Sequence, residues 1–239
     1  MSLLESEDVS GENQEGFNAF LCLYWSIRST ILELLWLTFD LVGTIAFAIS
    51  GTLVGIGRRM DIFGMAVLAL ATAIGGGIMR DVIVGNIPPN SFKSGLYVSL
   101  VLGTVFILFL MYRMRHNRYI ATRWVRRIYL GADTIGLASF TVTGASVGIS
   151  HYPDLAVLSV TLGLLTAVGG GVLRDVLAQR VPSVLREEVY ALPAILGGIV
   201  YYYLFTAGHW QEASYGAFIV VLIIRTLAIR FNWSLPRIR

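Results

Sequence analysis

One phrase occurs twice in this chain of 239 residues. Residues 75–81 read Gly-Gly-Gly-Ile-Met-Arg-Asp, and residues 169–175 read Gly-Gly-Gly-Val-Leu-Arg-Asp. A proline follows each at the same distance, Pro88 and Pro182. Each phrase closes a long apolar run. Glycine costs a helix interior roughly 1 kcal/mol against alanine, and lipid penalises every backbone group left unpaired. Two such triplets at matched positions predict two broken helices facing each other inside a membrane, an arrangement suited to moving small solutes or ions.

The membrane follows from where charge is missing. Only 14% of the residues are charged, against about 25% in a soluble domain. Residues 62–79, 94–112, 155–173 and 189–208 carry no Asp, Glu, Lys or Arg. Residues 31–57 carry only Glu33 and Asp40, 128–150 only Asp133, and 213–229 only Arg225. Roughly 20 apolar residues cross a bilayer, so the pattern predicts an all-α integral membrane protein with seven transmembrane helices. Glu33 is expected to be solvated near the outer surface and Arg225 to snorkel inward. The run Tyr201-Tyr-Tyr reads as interfacial belt.

The flanking arginines give an orientation. With seven spans, one side receives the N-terminus and holds Arg28 and Lys93. The other holds Arg58, Arg59, the basic run 113–127 (Arg113, Arg115, Arg118, Arg123, Arg126, Arg127), Arg180, Arg186, Arg230, Arg237 and Arg239. The positive-inside rule then places the N-terminus outside and the C-terminus in the cytoplasm of a multi-pass membrane protein. The run 113–127 has two readings: a determinant of topology, or a site for anionic lipid. The acidic start is unlike a cleaved signal peptide, and Phe17–Ile27 is expected to be an interfacial lead-in.

The repeat extends beyond the glycines. Over 40–61 and 133–154, Asp40 falls on Asp133, Gly43 on Gly136, Phe47 on Phe140, Gly51 on Gly144 and Gly55 on Gly148. After one inserted residue the triplets, Arg80 and Arg174, Asp81 and Asp175, and Gly103 and Gly197 coincide. Each copy covers three spans. An odd number reverses the second copy, so an inverted 3+3 repeat plus a seventh helix is expected, with helices 2 and 5 broken. The organisation reads as a tail at 1–30, a first repeat at 31–113, a basic cytoplasmic linker at 114–127, a second repeat at 128–208, and the seventh helix with its tail at 209–239.

These motifs carry a family resemblance. Asp40-Leu-Val-Gly-Thr, Phe47-Ala-Ile-Ser-Gly, the two glycine–arginine–aspartate phrases and Leu185-Arg-Glu-Glu-Val-Tyr resemble the bacterial UPF0126 family, whose domain is often labelled a glycine transporter and which is related to the trimeric intracellular cation (TRIC) channels. The resemblance covers about residues 31–230. It implies a homotrimer with a separate pore in each protomer, lined by helices 2 and 5, that conducts monovalent cations, chiefly potassium. The alternative is a secondary transporter of a small zwitterion such as glycine, which an inverted repeat alone fits slightly better. The chain departs from the family in its longer residues 1–30 and in Pro88-Pro-Asn-Ser-Phe-Lys, which replaces an aromatic-rich run.

The candidate site residues follow from the repeat. Gly75, Gly76, Gly77, Gly169, Gly170 and Gly171 are expected to line the ion pathway at the breaks. The competing reading is close helix packing through small residues. Arg80, Asp81, Arg174 and Asp175 sit at membrane depth, where a charge costs roughly 3 kcal/mol or more and is usually paired. They read either as charged constrictions or as structural pairs. Asp40 lies on the same depth side as Arg80, and Asp133 as Arg174, so each couple is expected to pair, with helix capping as the alternative. No nucleophile–base set, cofactor motif or metal-ligand spacing is visible: the three histidines are scattered and Cys22 is the sole cysteine. The chain is therefore expected to be neither an enzyme nor a binder of cofactor, metal or nucleic acid.

Overall fold

The computed structural model describes residues 5–114, 121–186 and 189–233, and their side chains except those of 5–22, 24, 25 and 121–124. Arg115 and Arg118 of the basic run, Glu187 and Glu188 after the second motif, and Arg237 and Arg239 of the tail lie outside the described residues, as does the side chain of Arg123.

Among the described residues the secondary structure is helical, without strands. The elements are α1 (Glu5–Gly57), α2 (Ile62–Ile83), α3 (Asn90–Lys93), α4 (Leu96–Met114), α5 (Ala121–His151), α6 (Ala156–Leu177), α7 (Ser183–Arg186), α8 (Leu192–Thr206) and α9 (Trp210–Phe231). The seven apolar runs fall on α1, α2, α4, α5, α6, α8 and α9. Among the described residues five stretches are long and apolar enough to cross a membrane: Ser26–Gly57 and helices α2, α4, α6 and α9. Residues 121–127 of the expected basic linker are helical and open α5.

The chain divides into two units, residues 1–37 and 38–239. In the first, the Ser29 and Thr30 hydroxyls donate back to the Ser26 carbonyl, and Glu33 is exposed. All that follows concerns the second unit.

Several threonine hydroxyls inside the spans are satisfied within their own helices: Thr44 donates to Asp40 O, Thr52 to Ala48 O, Thr72 to Leu68 O and Thr166 to Leu162 O. In lipid such back-bonding removes the need for another partner. α2 starts at Asp61, whose carboxylate accepts from the Gly64 N–H at 2.7 Å. It ends before Gly85, which turns the chain at φ +75°.

Small residues set the helix contacts. On α1, a Cβ at Gly51 would stand 2.8 Å from both Ala69 Cα and Thr72 Oγ1 of α2. On α5, a Cβ at Gly144 would stand 2.8 Å from Gly163 Cα and 2.6 Å from Thr166 Oγ1 of α6. Between α1 and α5 the arrangement is reciprocal. Gly43 faces the Phe140 ring, Gly136 faces the Phe47 ring, and the two rings meet edge to face with centroids 5.1 Å apart. A missing side chain on each helix thus seats an aromatic ring of the other.

The structure corrects the expected breaks. α2 and α6 run as continuous α-helix through Gly75–Gly77 and Gly169–Gly171. The reason lies across the interface. α2 and α6 cross antiparallel, with Gly76 against Gly170. A Cβ on Gly76 would overlap the Thr166 carbonyl oxygen, and one on Gly170 would overlap the Thr72 carbonyl oxygen. The glycines bring two intact helices into backbone contact, which offsets their propensity cost.

Two further expectations are corrected. Arg225 does not snorkel; it is 3% exposed, its guanidinium carbon lies 4.6 Å from the centroid of the Tyr190 ring, and it donates to the Val189 carbonyl at 3.3 Å. Tyr201 is not belt but core: it is 1% exposed and stacks on Phe205.

Candidate functional site: two buried arginine–aspartate clusters

The sequence repeat builds two clusters, at opposite ends of the α2–α6 crossing. In the first, Arg80 donates from Nε to Asp81 Oδ1 at 2.8 Å, and its Nη1 lies 3.6 Å from Asp40 Oδ1. In the second, Arg174 donates from Nε to Asp175 Oδ1 at 2.8 Å and from Nη1 to Asp133 Oδ1 at 2.5 Å. All six residues are buried. The structure therefore unites both sequence expectations: each arginine is held by its neighbour in the motif and by the aspartate of the preceding long helix.

The motif aspartates have a second task. Asp81 Oδ2 accepts the Asn90 N–H at 2.7 Å, where α3 starts. Asp175 Oδ2 accepts the Ser183 N–H at 2.7 Å, where α7 starts. In the alignment Ser183 falls on Pro89, which has no N–H to give. The donor in the first copy therefore moves on one residue, to Asn90. Each motif thus pins the segment that follows its helix.

The clusters differ in their surroundings. At the second, Ser50 of α1 receives a 2.5 Å hydrogen bond from Arg174 Nη1. Arg180 adds another guanidinium, donating from Nε to Asp175 Oδ1 at 2.8 Å and from Nη2 to Tyr129 Oη at 3.0 Å. Arg174 lies 5.1 Å from the Tyr129 ring centroid. In the first copy Asn86 occupies the place of Arg180, and Lys93 donates to its Oδ1 at 2.7 Å. Asp175 thus has two arginines where Asp81 has one. Salt bridges of this kind offset the cost of taking charges out of water only when the remaining donors and acceptors are engaged. At the second cluster Ser50, Arg180 and Tyr129 engage part of that set.

Sequence reasoning missed Ser50, Tyr129, Arg180 and Tyr190. Ser50 sits in an apolar helix and looks like a packing residue. Arg180 reads as a loop charge on the arginine-rich side. Neither carries a signal of its own.

The comparisons with known proteins agree with this architecture. The protein-family model described as Glycine transporter matches twice, over residues 37–113 and 130–206. The UPF0126 inner membrane protein YadS of Escherichia coli K12 is 38% identical over 204 residues, covering 84% of this chain and 94% of YadS. The chain belongs to the UPF0126 family of multi-pass bacterial membrane proteins. Its fold is that of the TRIC channels. The crystal structure of a prokaryotic TRIC channel in 0.5 M KCl superposes with a TM-score of 0.76 at 34% identity, covering 87% of this chain and all of the other. The TRIC trimeric intracellular cation channel orthologue from Rhodobacter sphaeroides gives 0.75 at 30% identity, covering 83% and 98%.

Proposed function

We propose that this protein is a cation channel of the bacterial inner membrane, a homotrimer passing monovalent cations, chiefly potassium, through a pathway in each protomer. The observation that carries this reading is the likeness to a solved prokaryotic TRIC channel over that channel's whole length. The trimer rests on the Rhodobacter orthologue, described as trimeric. The inverted 3+3 arrangement with a seventh helix is supported by the double family match, the antiparallel α2–α6 crossing and the reciprocal Gly43–Phe140 and Gly136–Phe47 contacts. The arginine distribution supports an outer N-terminus and a cytoplasmic C-terminus, and basic residues of 113–127 facing anionic lipid.

In this reading the pathway runs past the α2–α6 crossing, from the Arg80–Asp81–Asp40 cluster to the Arg174–Asp175–Asp133 cluster. The triplets Gly75–Gly77 and Gly169–Gly171 set its width by setting the helix spacing. The buried arginines act as fixed positive charges that limit cation entry, and the protein conducts rather than catalyses.

The second reading is a carrier of glycine, favoured by the description of the matching family model. Purified protein in liposomes separates the two. Potassium flux without saturable glycine uptake is the expected result. Gradient-coupled, saturable glycine uptake without ion conductance would overturn the channel.

A further inference from the structure

The three glycines of each motif differ in what faces them, and the first two have the helix across the α2–α6 crossing against them. A Cβ on Gly75 would meet the Leu173 side chain, and one on Gly169 the Met79 sulfur. Gly76 and Gly170 meet carbonyl oxygens across the crossing. The third glycine is different. A Cβ on Gly171 would lie 2.9 Å from the Tyr190 hydroxyl oxygen and 3.6 Å from Arg174 Nη2. At the matching place, a Cβ on Gly77 would lie 3.7 Å from both Arg80 Nη2 and Ser91 Oγ. Both third positions face a guanidinium and a hydroxyl rather than the helix across the crossing. Helix packing explains the first two glycines and leaves the third unexplained.

The second copy is the more constrained. Tyr190 is 1% exposed and Arg174 is fully buried. Arg174 Nε and Nη1 are engaged with Asp175, Asp133 and Ser50. Arg174 Nη2 and Tyr190 Oη are buried and find no hydrogen-bonding partner among the described residues. Buried polar groups are nearly always satisfied, by protein or by ordered water. Two such atoms converging on one small space define a site.

We infer that Gly171, Arg174 and Tyr190 form a seat for a single buried water molecule, and that Gly171 is glycine in order to leave room for it. The guanidinium can only donate, so the occupant must accept. The phenol donates or accepts, so a water satisfies both atoms. A cation is disfavoured by the Arg174 charge and by Arg225, which lies over the Tyr190 ring. The water completes the shell of Arg174 and makes Tyr190 a positioning residue for that charge, linking α6 to the segment entering α8. The inference does not depend on which solute the protein moves.

The direct test is an experimental structure of the wild-type protein at a resolution that shows waters, with a bromide-soaked crystal beside it. A density peak within hydrogen-bonding distance of Arg174 Nη2 and Tyr190 Oη, with no anomalous bromide signal, is expected. No peak would overturn the inference, and a bromide peak would replace the water with an anion site. Thermal unfolding in detergent gives an independent arm. Tyr190→Phe keeps the ring under Arg225 and removes only the hydroxyl. It should lower Tm by about 2–4 °C, the shift of a single lost interaction in a chain of this size. An unchanged or raised Tm would mean that the hydroxyl has no partner to lose, and would reject the water. Gly171→Ala should also lower Tm, and in the double variant the two losses should be less than additive. Full additivity would show that the two residues do not share a site.

Discussion

Arg174 and Asp133, 41 residues apart in sequence, are joined by a 2.5 Å contact between Nη1 and Oδ1, and both are buried. Their counterparts in the first copy, Arg80 and Asp40, stand 3.6 Å apart. The same two residue types, 40 residues apart in one half and 41 in the other, therefore make a longer ion pair in the first and a shorter one in the second. Their surroundings differ too. Ser50 steadies Arg174, and Arg180 shares the charge of Asp175.

The first prediction uses that contrast. Arg174→Ala strands Asp133, whose other described contact is the Ser50 hydroxyl at 3.5 Å. Removing one partner of a buried pair typically costs about 3–5 kcal/mol. Arg174→Ala should therefore fail to assemble or lose most of its thermal stability. Arg80→Ala, which breaks a longer pair, should be milder. Size-exclusion profiles and melting curves of the two variants, measured together, check the order. Equal losses would mean that the tighter geometry carries no extra stability.

The second concerns the crossing. Gly76→Ala and Gly170→Ala drive a Cβ into the carbonyl of Thr166 or Thr72. Backbone cannot yield as a flexible side chain does, so α2 and α6 must separate. Overpacking typically costs about 1–3 kcal/mol and sometimes more. Both variants should show loss of folded protein, not a folded channel with a blocked path. Gly131→Ala is the control: nothing lies within 4 Å of a Cβ there, and alanine should stabilise α5 by up to about 1 kcal/mol. Wild-type melting temperatures for the Gly76 and Gly170 variants would refute the close crossing.

The third addresses the reciprocal rings. A Cβ on Gly136 would overlap the Phe47 ring. Gly136→Ala should be destabilising alone and partly rescued when Phe47 is changed to Leu. Residues in contact commonly couple by about 0.5–3 kcal/mol. A double-mutant cycle read by thermal unfolding measures the term, and additive losses would count against the contact.

Much of this was legible in the chain because the repeat is written in residues that carry charge or lack a side chain. The membrane depth each residue should reach was enough to pair Asp40 with Arg80 and Asp133 with Arg174. The triple glycines were harder. A single sequence weighs glycine against alanine within its own helix, and by that measure three in a row look like a break. The compensating term lies in the other copy, at the Thr166 and Thr72 carbonyls, and becomes visible only when α2 meets α6. Arg225 was misjudged for a similar reason. Its sequence neighbours are apolar, while the Val189 carbonyl and Tyr190 ring that hold it come from the segment entering α8. Ser50 and Arg180 belong to the second cluster through contacts that no local pattern encodes.

The last prediction joins the clusters to the proposed conduction. A fixed arginine beside a cation pathway raises the barrier to entry, as positive charges do in selective pores. Arg80 is the residue to test, since its contact with Asp40 is the longer of the two aspartate pairs. Arg80→Gln keeps hydrogen-bonding capacity towards Asp81 and Asp40 while removing the charge. If Arg80 sits on the pathway, potassium flux in liposomes should rise, and a tenfold rise would correspond to about 1.4 kcal/mol taken off the barrier. Raising the salt concentration should shrink the difference between variant and wild type, because screening weakens a barrier made by charge. Unchanged flux in an assembled Arg80→Gln protein would place the pathway elsewhere and leave the arginine with a purely structural task, holding α1 to the end of α2 through Asp40.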